Sequence, residues 1–135
     1  MTNEIIFSSK CGNNMVILRD FEKKFSEEPM LSCILIIDVE GFKKRQIISF
    51  ELCELEFFLN HLRLFIKNEF KIIFMKQIDS IFEFKLARDK SNIITLEGVI
   101  NSYPKKTSLN FEFSLDEFTI NSIQDEIINI ICQFK

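Results

Sequence analysis

A strand-to-helix module that occurs twice constrains this chain more than any other feature. Residues 50–62 read FELCELEFFLNHL, and residues 111–123 read FEFSLDEFTINSI, with identities at five of the aligned Phe, Glu and Asn positions. In each copy the apolar residues pass from every second position to a spacing of three and four. The first spacing is typical of a strand with one buried face and the second of an amphipathic helix. The chain is therefore expected to carry two strand-helix units, at 48–66 and 109–131.

The remaining segments read as strands. Leu31 to Val39 and Lys43 to Phe50 are apolar runs on either side of Gly41, which can take the positive φ of a tight hairpin. Further alternating runs follow the first helix. We predict one α+β domain over residues 1–135, with an antiparallel sheet of about seven to eight strands in the order β-β-β-β-α-β-β-β-β-α. Both helices are expected on one face of this single sheet, with Phe111 and Ile127 in the core.

Composition limits the classes of partner. The net charge is -3 and the sequence pI is near 5.3, so a broad basic field for nucleic acid is not expected. The N-terminus lacks a basic leader followed by an apolar segment, and the longest strongly apolar run is too short for a membrane helix. We therefore expect a cytoplasmic protein with reduced cysteines and with neither nucleic acid nor membrane as its partner. The oligomeric state stays open.

The usual chemical motifs cannot be written on this sequence. His61 is the single histidine, and the four cysteines lie far apart with no C-x-x-C pair. Nucleophilic catalysis needs a base beside a Ser or Cys, and a partly buried histidine covering apolar surface is the more common role for such a residue. The three glycines stand alone, so no phosphate-binding loop is present. We predict no enzyme activity, no catalytic residue, no cofactor and no metal site.

One group of charged residues remains as a candidate site. Strand alternation sends Glu51, Glu83, Glu97 and Glu112 to the face opposite the helices, together with Lys85. The sequence predicts an acidic sheet surface there, and we take these four glutamates as the candidate partner-binding residues. An ordinary solvated sheet face produces the same alternation, so both interpretations stay open.

Several segments resemble a known family. Residues 94–100 (ITLEGVI), 109–113 (LNFEF) and 114–118 (SLDEF), with the closing helix, are similar to the C-terminal half of the WapI-type immunity proteins of bacterial polymorphic toxin systems. Residues 50–62 are similar to the central helix region of that family, and the resemblance covers roughly residues 31–131. It implies a non-enzymatic cytoplasmic protein that binds and neutralises a cognate toxin domain in a stoichiometric complex. The family has no fixed binding motif to carry over.

Two other functions remain open at the level of sequence. A small acidic chaperone of secreted effectors has a similar composition, although this chain lacks an obvious N-terminal helix. A small-molecule-binding enzyme of unrecognised type is less favoured, because no nucleophile and base are paired.

Overall fold

The part of the chain that the structure describes forms eight strands and two helices. The computed structural model describes residues 3–24, 30–77, 81–102 and 107–135. The elements are β1 (Ile5–Ser8), β2 (Met15–Lys24), β3 (Met30–Val39), β4 (Phe42–Glu51), α1 (Leu52–Ile66), β5 (Ile72–Lys76), β6 (Phe82–Arg88), β7 (Ile94–Ser102), β8 (Thr107–Ser114) and α2 (Glu117–Phe134). The predicted α+β class and the predicted order of elements are confirmed.

The strands form two sheets, so the prediction of a single sheet is wrong. The first sheet has the order β1-β2-β3-β4 and the second has the order β5-β6-β7-β8, with antiparallel pairing throughout. The chain leaves the first sheet at Glu51, the last residue of β4, which also caps α1. The physical reason for the division is non-local: β5 pairs with β6, and the apolar faces of two four-stranded sheets close on one core.

The hairpin between β3 and β4 shows how local sequence sets the register. Glu40 and Gly41 have φ of 49° and 82°, and Val39 lies opposite Phe42. Two successive positive φ angles are typical of a type I′ turn, whose twist matches that of the flanking strands. The hairpin predicted at Gly41 is confirmed. Along β3, every second residue from Leu31 to Val39 is consequently buried.

The two helices begin with different caps. Glu51 and Glu54 form a capping box at α1, in which each side chain accepts a hydrogen bond from the other residue's backbone N–H. At α2 the cap is Asp116, whose side chain accepts from the backbone N–H of Phe118. The sequence match pairs Glu51 with Glu112, whereas the structure makes Asp116 the counterpart of Glu51. The two helices therefore align about one turn away from the sequence match.

One hydrophobic cluster includes buried residues of both sheets and both helices. Phe7 of β1 meets Phe84 of β6 with ring centroids 5.9 Å apart, which joins the inner faces of the two sheets. The helices pack on each other, α2 also contacts β1, and α1 contacts β4 and β5. Ile127 is fully buried, as predicted, but Phe111 is only partly buried.

Candidate protein-binding surface

Three of the four predicted glutamates lie together on the outer face of the second sheet. Glu83, Glu97 and Glu112 stand on β6, β7 and β8, at positions that alternate with buried residues. Glu97 lies directly opposite Glu112, and Lys85 lies directly opposite Glu97 on its other side. We call these three glutamates the acidic face.

Two lysines partly neutralise the acidic face. The Nζ atom of Lys76 lies 3.7 Å from Glu83 Oε1, and that of Lys85 lies 3.6 Å from Glu97 Oε2. Such exposed pairs are screened by solvent and contribute about 0–1 kcal/mol to stability. Glu112 is exposed, and no ion pair with it is recorded among the described residues. Three glutamates against two lysines leave an excess of one negative charge on this face. Glu97 and Glu112 are in addition like charges directly opposite each other across the sheet, which is unfavourable.

Glu51 lies elsewhere, which corrects the predicted group of four. It ends β4 in the first sheet, and its carboxylate caps α1. The same carboxylate accepts a hydrogen bond from Cys53 Sγ at 3.2 Å, and this bond raises the pKa of the Cys53 thiol. The single-sheet prediction placed Glu51 on one sheet with the other glutamates, whereas the structure places it at the end of a strand of the other sheet.

His61 lies between two aromatic rings. Its ring centroid is 4.2 Å from that of Phe57 and 5.6 Å from that of Phe70. Among the residues that the structure describes, no group of three or more His, Cys, Asp or Glu side chains could hold a metal ion. The environment of His61 is that of a histidine covering apolar surface.

The outer face of the first sheet carries apolar and basic side chains together, which was not predicted from the sequence. Isoleucines occupy neighbouring outward positions on all four strands and are only partly buried or exposed: Ile6, Ile17, Ile34, Ile36 and Ile47. Arg19, Lys43 and Arg45 lie on the same face. The signal in the sequence was the unbroken apolar run of residues 33–37, since a strand that is apolar at every position has no polar face to give to solvent.

A groove of about 610 Å³ lies between α1 and β5, and its volume is in the range of ligand sites. Glu51 and Cys53 line one end of it, and His61 and Phe70 line the other. Four large apolar side chains around it are exposed: Phe57, Phe70, Ile72 and Phe74. The sequence signal was the run of residues 72–75 (IIFM) in β5, where two of the three outward positions, Ile72 and Phe74, are as apolar as the inward ones.

Comparison with known proteins identifies the fold and nothing finer. No family model and no curated protein matches the chain. The fold is similar to that of MRP1/MRP2 of Trypanosoma brucei, with a TM-score of 0.56 and 6% sequence identity, over 98% of this chain and 84% of that one. It is also similar to that of the plant transcriptional regulator PBF-2, with a TM-score of 0.53 and 8% identity, over 99% of this chain and 81% of that one. At such identities the likeness concerns architecture alone.

Within the described residues, neither helix combines the length and the apolar character that a membrane span requires.

Proposed function

We propose that this protein is a cytoplasmic immunity protein, which binds a cognate toxin domain in a stoichiometric complex and thereby neutralises it. The observation that carries the proposal is the opposed pair Glu97 and Glu112 on the acidic face. A cationic group of a partner placed between these carboxylates would offset their mutual repulsion. The pattern of residues 94–118, which resembles the WapI-type immunity family, supports the same function.

The acidic face acts mainly on the rate of association. Patch carboxylates of this kind attract a basic partner before contact, and their effect falls with increasing salt because mobile ions screen it. Buried contacts determine how slowly the complex dissociates. Removal of the acidic face should therefore lower the association rate constant more than it raises the dissociation rate constant.

The test uses whatever toxin domain a search of the genes flanking this one identifies. Cells that express the toxin domain are expected to survive only when the protein is co-expressed. In binding kinetics at two salt concentrations, Glu97→Lys combined with Glu112→Lys is expected to slow association on the order of tenfold at low salt and much less at high salt. Failure of the wild type to protect cells would refute the immunity function.

A matched control separates the acidic face from net charge. Glu22→Lys combined with Asp125→Lys changes the net charge equally, and both residues are exposed and lie off this face. We expect this control to associate nearly as fast as the wild type. If the wild type protects cells but both double variants slow association equally, the toxin binds a different surface.

Regulation of transcription is a second candidate. PBF-2 is a transcriptional regulator, and the specific observation in favour of this function is the presence of Arg19, Lys43 and Arg45 on one outer sheet face. The net charge of -3 opposes it. This function would be favoured if the protein bound single-stranded or duplex DNA in a salt-dependent manner and the double variant Lys43→Gln, Arg45→Gln bound it more weakly. Binding of the toxin domain without any binding of DNA would exclude it.

A further inference from the structure

The strand β5 forms one edge of the second sheet, and its outward hydrogen-bonding groups can be identified. At one end of β5 the backbone N–H of Arg88 donates to the Lys71 carbonyl at 2.9 Å, and at the other end the N–H of Gln77 donates to the Phe82 carbonyl at 3.3 Å. In an antiparallel pair the bonded positions alternate along the strand. Odd-numbered residues of β5 therefore face β6, and the backbone groups of Ile72, Phe74 and Lys76 point away from it.

These backbone groups point toward the side of the groove. No hydrogen bond to the backbone of Ile72, Phe74 or Lys76 on that side is recorded among the described residues. An edge with unpaired N–H and C=O groups is a template for another strand, and exposed sheets usually protect it with charge, proline or a bulge. Within β5 the one charged residue is Lys76 at its end, and the strand has neither proline nor a register shift.

Apolar side chains flank this edge on both sides. Phe74 and Ile72 are 42% and 50% exposed on the strand, and Phe57 of α1 is 61% exposed across the groove. An added strand would alternate its side chains between the outer face of the sheet and the wall formed by α1. The geometry thus offers backbone pairing and side-chain contact to the same extended segment.

The charge of the groove adds a preference. Glu51 lines the end nearest the start of α1, and no ion pair with it is recorded among the described residues. Lys76 at the same end is paired with Glu83 at 3.7 Å. A cation of the incoming segment would be attracted to the Glu51 carboxylate, with an energy that salt screens.

We propose that an extended, mainly apolar segment of a partner protein, with a basic residue at one end, binds the groove as a fifth strand on the β5 edge. This mode, the addition of a peptide strand to a sheet edge, obtains affinity from main-chain hydrogen bonds and specificity from alternate side chains. The inference goes beyond the proposed immunity function and does not depend on the partner being a toxin.

The available area favours a single segment over a second copy of this chain. Taking about 200 Å² for each whole side chain, the middle of the aromatic range and an upper value for Ile72, the exposed parts of Phe57, Phe70, Ile72 and Phe74 sum to at most about 400 Å². A stable protein interface buries about 800 Å² on each partner. The groove alone is too small for a stable dimer, and the five residues of β5 beside it suit pairing with a short strand.

The probe is a peptide obtained by selection for binding to the protein. A displayed library of random seven-residue peptides is selected on the wild-type protein, with counter-selection on the variant Phe74→Pro. Proline removes the outward N–H of Phe74 and leaves the ladder to β6 intact, because proline is tolerated where the N–H faces away from the sheet. Selected peptides are expected to alternate apolar residues and to carry a basic residue at one end.

The selected peptide is then synthesised with N-methyl groups on one edge or on the other. Methylation of the edge that faces β5 is expected to abolish binding, and methylation of the opposite edge is expected to leave it within about threefold. In hydrogen exchange, the amides of Ile72 and Phe74 should become protected when the peptide is added. Equal effects of the two methylation patterns, or unchanged exchange at these amides, would overturn the proposal.

The protein variants supply a second comparison. Phe74→Val keeps a strand-forming residue with its N–H, so Phe74→Pro should bind on the order of tenfold more weakly than Phe74→Val. If Phe74→Pro does not fold, the pair of methylated peptides decides the question without it. If the wild type self-associates with increasing concentration and Phe74→Pro abolishes this, a second copy of the chain occupies the groove and the proposal is overturned. A selection that yields no binding peptide would also overturn it.

Discussion

Gly98 offers the sharpest test of the packing. It lies on β7 directly opposite Phe111 of β8, and the Phe111 ring covers it. A methyl group built at Gly98 would overlap three ring atoms, of which the farthest lies at 2.6 Å. The ring is held by Phe84 at a centroid distance of 6.1 Å and by Phe113 at 6.4 Å. The substitution Gly98→Ala must therefore displace an aromatic ring that its neighbours hold in place.

The expected energies follow from this overlap. Overpacking lowers the free energy of unfolding by about 1–3 kcal/mol. Replacing a strand glycine by alanine raises it by roughly 0.5–1 kcal/mol, because alanine loses less conformational entropy on folding. Gly98→Ala alone should thus lower the free energy of unfolding by about 1–2 kcal/mol. Phe111→Ala should lower it by about 2 kcal/mol, less than for a fully buried ring. Once the ring is gone, Gly98→Ala should be neutral or stabilising, so the two changes should couple by about 2 kcal/mol.

Urea denaturation of the four proteins in this cycle measures the coupling. Thr95→Ala, on the outer side of the same strand, serves as the control, and its combination with Phe111→Ala should be additive within about 0.5 kcal/mol. Additivity of Gly98→Ala with Phe111→Ala would refute the inference that the ring occupies the space beside Gly98.

Two further predictions concern burial. Ile127→Ala should lower the free energy of unfolding by about 2–5 kcal/mol because Ile127 is fully buried, whereas Phe118→Ala on the same helix, where the side chain is 78% exposed, should change it by less than about 0.5 kcal/mol in denaturant melts. Burial raises the pKa of the Cys33 thiol to about 12, whereas a hydrogen bond with Ser9 lowers the pKa of the exposed Cys11 thiol. Maleimide near pH 7 should therefore label Cys11 quickly and leave Cys33 unmodified until the protein unfolds. Mass spectrometry of the labelled peptides measures this, and equal labelling of both cysteines in the native protein would contradict it.

Local patterns in the sequence were sufficient to predict most of the helices and strands. The change of period near residue 54 predicts α1 because the alternating spacing of a strand cannot place Leu55, Phe58 and Leu62 on one face, whereas the spacing of a helix does. Gly41 predicts the β3–β4 hairpin because few residues other than glycine adopt positive φ at low cost. These features depend on neighbours along the chain, and so the order of the eight strands and two helices could be predicted.

The candidate site depended on information of a different kind. Alternation places Glu83, Glu97 and Glu112 on the polar side of their strands, and pairing of β6, β7 and β8 then brings them together. The same alternation assigned Glu51 to that group, because a period of two gives the side of a strand but not the sheet to which it belongs.

The sequence by itself determined which segments are strands and helices and which residues are apolar on one side, because backbone geometry and side-chain spacing are local. Only the tertiary structure decided that the eight strands divide into two sheets, that the Phe111 ring covers Gly98, and that β5 keeps one edge beside a groove. Strand pairing joins residues far apart in the chain through backbone groups that every residue has. The choice of partner strand therefore depends on how the apolar faces close into one core, and the free edge that remains follows from that closure.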